Sequence, residues 1–144
     1  ACTLGLGSSY APPPATGPVC YAATGAFLGN TLTSDRAEWE AMQADLRAHP
    51  EVQIAGPTVR WLYQSLLECH LLGLRPSPAV PMLTALGGDE MIVDIPAIED
   101  RVARWPGGRL LRVAGARHEL LMESHARRAP LLDAIAKHFS AYTP

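Results

Sequence analysis

The sequence predicts an α/β fold in which short parallel strands alternate with helices, preceded by a helical segment. Three observations carry this reading. From residue 79 onward, short apolar runs bounded by Pro and Gly alternate with stretches whose apolar residues recur every three or four positions. Before residue 79 only the helical spacing occurs. The first 34 residues contain no Asp, Glu, Lys, Arg or His, so the chain changes texture where its first clear helix begins.

Residues 1–30 are rich in Gly, Pro, Ala, Ser and Thr and predict loop with neither helix nor strand. Ser34 and Asp35 then offer N-caps, and Glu38 stands three residues after Asp35 as a capping box requires. Trp39, Met42 and Leu46 make one apolar stripe, and His49-Pro50 ends the helix. A second helix is expected from Pro57 to Leu72, with Val59, Leu62, Tyr63, Leu66 and Leu67 on its buried face and His70 extending that face. Gly73 stops it, and Arg75-Pro76-Ser77-Pro78 reads as a linker.

Residues 79–86, AVPMLTAL, suit a strand buried on both faces, with Pro81 near its start. The loop GGDEMIVD follows, and Asp94 caps a helix carrying Ile95, Ile98 and Val102. Trp105-Pro106-Gly107-Gly108 ends that helix, and residues 109–113, RLLRV, form a second strand. After the loop AGARHE a last helix is expected from Ser124 to Tyr142, with Leu132, Ile135, Phe139 and Tyr142 on one face. Strand, helix, strand and helix in this order make two parallel strands joined by a crossover. Two such strands need neighbours and cover on both faces, so the expectation is a part of a larger α/β protein.

Composition narrows the function classes. With 144 residues the chain is sized for one domain, and a net charge of -2 excludes a strongly basic nucleic-acid binder. Cys2, Cys20 and Cys69 are odd in number and lack CxxC spacing, which predicts reduced, buried or half-buried thiols and an intracellular protein. Gly5, Gly7 and Pro12-Pro13-Pro14 interrupt any signal-peptide core, and no apolar run is long enough for a transmembrane helix. Gly5-Leu6-Gly7 is too short for a phosphate or dinucleotide fingerprint, and the spacing of His118 and His125 does not suit a metal.

Functional groups in parallel α/β sheets gather in the loops beyond the carboxyl ends of strands. Asp89 and Glu90 lie in the first such loop, and His118 lies in the second. Adjacent strands are about 5 Å apart, so a carboxylate and an imidazole meet at one sheet edge. That pair is two-thirds of a nucleophile–base–acid relay. Glu119 and Glu123 flank the histidine loop, either as solvated acids or as groups that support it.

Four stretches resemble the serine hydrolases of the α/β-hydrolase fold, in particular the bacterial lysophospholipase and monoacylglycerol-lipase-like group, also classed with serine aminopeptidases. Residues 29–35, GNTLTSD, resemble the start of a cap helix, and Gly56-Pro57-Thr58 with Trp61 resembles its second motif. Residues 81–94, PMLTALGGDEMIVD, resemble the strand and acid loop, and residues 115–121, GARHELL, resemble the histidine loop. The resemblance implies the C-terminal part of an α/β-hydrolase: a lead segment over 1–27, a helical cap over 28–75 and the last βαβα part of the core over 76–144. Glu90 falls at the family's acid, with Asp89 as a rival one residue away, and His118 falls at its base. Trp39, Trp61, Leu62 and Leu66 are candidates for an acyl pocket or for ordinary cap packing. A lipid ester substrate, a cytoplasmic protein with peripheral contact at the inner membrane, and no cofactor or metal are implied as well.

The nucleophile is the departure. The order in this fold is Ser, acid, His, with Ser on a G-x-S-x-G turn between a strand and a helix. None of Ser8, Ser9, Ser34, Ser65, Ser77, Ser124 and Ser140 has Gly two residues away on both sides. Ser9 comes nearest, but three prolines follow where a helix is required. The nucleophile and oxyanion hole are therefore expected in an N-terminal half outside this sequence. The alternatives are a truncated, non-catalytic hydrolase that serves as a binding module, and a hydrolase-fold enzyme of other chemistry such as a peptidase or haloperoxidase.

Overall fold

A computed structural model describes residues 5–11 and 19–141. The chain forms two compact units, one of residues 1–25 and 41–76 and the other of residues 26–40 and 77–144. Cys2, Pro12-Pro13-Pro14 and Tyr142 lie outside the described residues.

The first unit is helical. A 3-10 turn at Leu6–Ser8 and the short helix α1, Tyr21–Thr24, occupy the region expected to be loop throughout. Both are single turns without a charged residue, too short to leave an apolar period. Tyr10 makes an antiparallel bridge to Thr58. Helix α2, Arg36–Ala48, begins in the second unit and ends in the first. Helix α3, Val59–Gly73, starts at Thr58, whose hydroxyl accepts the Trp61 N–H at 3.2 Å.

The apolar period of α3 is as expected but its burial is not. No residue of α3 is buried, and Trp61, Tyr63 and Leu66 are each more than half exposed. His70 is exposed rather than buried on that face. Cys69 is also exposed, while Cys20 is half-buried. A spacing of three and four locates one face of a helix, but covering that face takes another element.

The second unit holds the sheet. Strand β1, Met82–Gly87, pairs in parallel with β2, Gly108–Val113, in the register Met82 to Gly108 through Gly87 to Val113. Helix α4, Ile95–Ala103, joins them; Asp94 caps it by accepting the Ala97 N–H at 3.1 Å, and Val102 is buried. Pro81 stands just before β1, where it costs no ladder bond. Only Leu86 and Gly87 of β1 are buried, instead of the whole strand on both faces. Each strand has a single sheet neighbour among the described residues, so most of β1 stays half-buried.

Helix α5, His125–Ser140, runs through Pro130 and buries Leu131. The expected face was one position off: Leu132 and Phe139 are 47% and 69% exposed, and Leu131 is the core residue. Ile135 belongs to both stripes, so spacing alone could not separate them. Trp39, near the start of α2, is buried as expected. Asp35 caps α2 by accepting the Ala37 and Glu38 N–H groups at 2.9 and 3.1 Å. Glu38 itself pairs with Arg128. No helix among the described residues is long and apolar enough to cross a membrane.

Candidate active site

The carboxyl ends of β1 and β2 carry the two loops that hold the candidate residues. The loop after β1 begins at Gly88, whose N–H donates to the Val113 carbonyl at 2.9 Å. Next to it the Asp89 N–H donates to the Ala116 carbonyl, also at 2.9 Å. These two bonds fasten the acid loop to the histidine loop. Gly87 makes the close approach possible: a Cβ there would lie 2.4 Å from the Arg117 carbonyl oxygen and 2.6 Å from that of Ala116. Gly115 turns the second loop with a φ of +69°, a left-handed conformation that favours Gly.

Of the two acidic candidates, Glu90 is the one brought to His118. Its Oε2 lies 2.8 Å from His118 Nδ1, while the Asp89 side chain is exposed. The Glu90 side chain is 2% exposed and the His118 ring 31%. The other Glu90 oxygen accepts the Ile92 N–H at 2.6 Å, which turns the acid loop back on itself. Burial pushes the Glu90 pKa up, but the Ile92 N–H, the His118 hydrogen bond and the imidazole charge outweigh it. The net result lies below the ordinary carboxylate value. Glu90 is thus an ionised acceptor at neutral pH. With Nδ1 engaged, His118 keeps Nε2 for a second partner, and the partly exposed ring gives access to it.

From its position alone, Glu123 is either a solvated acid or a support for the histidine. It is fully buried. Its oxygens accept the N–H groups of Ser34 and Arg117 and the Ser34 hydroxyl, and Arg127 lies 3.4 Å away. Burial again pushes the pKa up, and these donors with the Arg127 charge carry it below the ordinary value. The one available signal was position, on the strand side of α5 and five residues past His118. Glu119 is exposed. Ser9, the nearest match to a nucleophile turn, follows a 3-10 turn in extended conformation and joins no strand to a helix. Among the described residues no three His, Cys, Asp or Glu side chains converge as metal ligands.

The first unit has a separate apolar feature. Ile54, Gly56, Pro57, Thr58 and Trp61 line an open cleft of about 540 Å³. Of the four acyl-pocket candidates, Trp61 alone lines it, and Trp39 is buried.

The chain is 31% identical over 125 residues to lysophospholipase L2 of Escherichia coli K12, covering 81% of this chain and 36% of that protein. It is 30% identical over 111 residues to the probable lysophospholipase L2 of Haemophilus influenzae, covering 76% and 35%. These relatives support a lysophospholipase-like fragment of the α/β-hydrolase fold. A soluble variant of monoglyceride lipase from Saccharomyces cerevisiae, solved with a substrate analog, matches it with a TM-score of 0.62 at 19% identity. That match covers 84% of this chain and 43% of the lipase, and it shows the fold. No family model matches. The chain spans about a third of the length of its lysophospholipase relatives.

Proposed function

We propose that this chain supplies the base and the acid of a serine esterase that acts on lipid monoesters, a lysophospholipid or a monoacylglycerol. The observation that carries the proposal is the 2.8 Å contact between His118 Nδ1 and Glu90 Oε2 beyond two adjacent parallel strands. The likeness to lysophospholipases supports the substrate class. In this reading a serine from outside the chain attacks the ester carbonyl. His118 Nε2 takes its proton and returns it to the leaving alcohol, while Glu90 holds the Nδ1 tautomer and stabilises the imidazolium. A water molecule then repeats the sequence on the acyl-enzyme. The apolar cleft at Trp61 has the size of a small-molecule site. The reaction needs no cofactor, and the reading places the protein in the cytoplasm with peripheral contact at the inner membrane.

The test is hydrolysis of lysophospholipid and monoacylglycerol by the full-length protein and its His118→Ala and Glu90→Gln variants. The expected result is ester hydrolysis that falls by about 10²–10⁴-fold in each variant. Undiminished hydrolysis by His118→Ala would remove the proposed base. A full-length protein without esterase activity would favour the binding-module reading.

A further inference from the structure

We infer that Glu123 is a positioning residue for His118, a buried carboxylate that clamps the backbone of the histidine loop to the segment preceding α2. The inference rests on the reading of His118 as the base. Glu123 is fully buried, five residues past the imidazole, and has no part in the proton transfers proposed above. Its Oε1 accepts two backbone N–H groups, those of Ser34 and Arg117, each at 2.9 Å. Its Oε2 accepts the Ser34 hydroxyl at 2.6 Å and faces Arg127 Nη1 at 3.4 Å. One carboxylate therefore holds the residue just before His118 and a residue of the preceding segment on the same oxygen.

The rest of the seam repeats that pairing. The His118 N–H donates to the Thr31 carbonyl at 3.3 Å, and the Glu119 N–H donates to that of Leu32 at 2.8 Å. Arg117 Nη1 donates to the Asn30 and Thr33 carbonyls at 2.8 and 3.0 Å, and the Thr33 hydroxyl donates to the Met122 carbonyl at 2.7 Å. The His118 backbone thus sits between two tethered neighbours, and its ring spans the remaining 2.8 Å to Glu90. Catalytic geometry tolerates only about 0.5 Å of error. A glutamine at 123 keeps one oxygen for both backbone N–H groups, whereas an alanine removes both oxygens and an aspartate draws them back by one methylene, so either of these opens the clamp.

The test uses the full-length protein and two readouts: the low-field NMR resonance of the His118 Nδ1–H and steady-state ester hydrolysis. Glu123→Ala removes the clamp and Glu123→Asp withdraws it, while Asp100→Asn breaks an exposed ion pair with Arg104 at the end of α4, away from the seam. The expected result is a broadened or lost Nδ1–H resonance in the two clamp variants, with kcat down about tenfold and KM within about twofold. Asp100→Asn leaves both readouts at wild-type values. Clamp variants that keep the resonance and kcat would overturn the inference, whatever their unfolding temperature. Should Glu123→Ala fail to fold, Glu123→Asp decides by the same readouts. Should His118→Ala keep full hydrolysis, the base reading fails, while the resonance still decides whether Glu123 positions the ring.

Discussion

The histidine loop and helix α3 treat polar and apolar side chains in opposite ways. Around His118 two carboxylates are buried, and every buried side-chain nitrogen and oxygen among the described residues has a partner. Along α3 the large apolar residues Trp61, Tyr63, Leu66 and Leu72 are exposed, and nothing on the helix is buried. A buried, satisfied polar cluster is over-determined: each group is held by several others, and removal of one leaves its partners unpaired. An exposed apolar face is under-determined, because it keeps its helical period whatever lies against it. Burial of polar groups, and not of apolar ones, therefore marks where this chain invests its precision.

Activity separates the two regions most strongly. If the proposed function holds, His118→Ala in the full-length protein is expected to lower ester hydrolysis by about 10²–10⁴-fold. It also leaves the buried Glu90 Oε2 without that partner and destabilises by about 1–3 kcal/mol. Steady-state kinetics with denaturant unfolding checks both halves. Gly87→Ala comes next. It pushes a methyl group into the Ala116 and Arg117 carbonyls and destabilises by about 1–3 kcal/mol, measured by denaturant unfolding.

The buried carboxylates also set the histidine loop apart through pH. Glu90 and Glu123 both have lowered folded-state pKa values. Their contribution to stability is present above the unfolded carboxylate value of about 4.3 and is lost as pH falls through the folded values. Wild-type stability therefore declines on acidification in that window. In Glu123→Gln the decline is shallower by at most about 1.4 kcal/mol per pH unit, the slope of one proton. Urea midpoints between about pH 5 and pH 3 measure it. The smallest effect lies on α3: Leu66→Gln, at a 62% exposed position, changes stability by no more than about 0.5 kcal/mol. A loss well above that in thermal unfolding would show that another element covers the helix in the full-length protein.

What was legible in the sequence divides along the same line. The two strands, their parallel order and the helices around them follow from short-range pattern, since Asp35, Asp94 and the Pro and Gly boundaries act within a few residues. The meeting of Glu90 with His118 was legible because parallel strands deliver their following loops to one edge. The pairing of Glu123 with Ser34 was not, because those residues are 89 positions apart and no local period links them. Leu131 in place of Leu132 was missed for a different reason. Two overlapping stripes on α5 share Ile135, and only the packed sheet selects between them.

We propose that His118, oriented by Glu90, activates a serine contributed from outside this chain. Labelling of the full-length protein with a fluorophosphonate, followed by peptide mapping, is the decisive measurement. The expected result is a single modified serine outside residues 1–144 of this sequence, with modification slowed by about 10²-fold or more in His118→Ala. Equal labelling of the wild type and His118→Ala, or a modified serine among Ser8, Ser9, Ser34, Ser65, Ser77, Ser124 and Ser140, would contradict it.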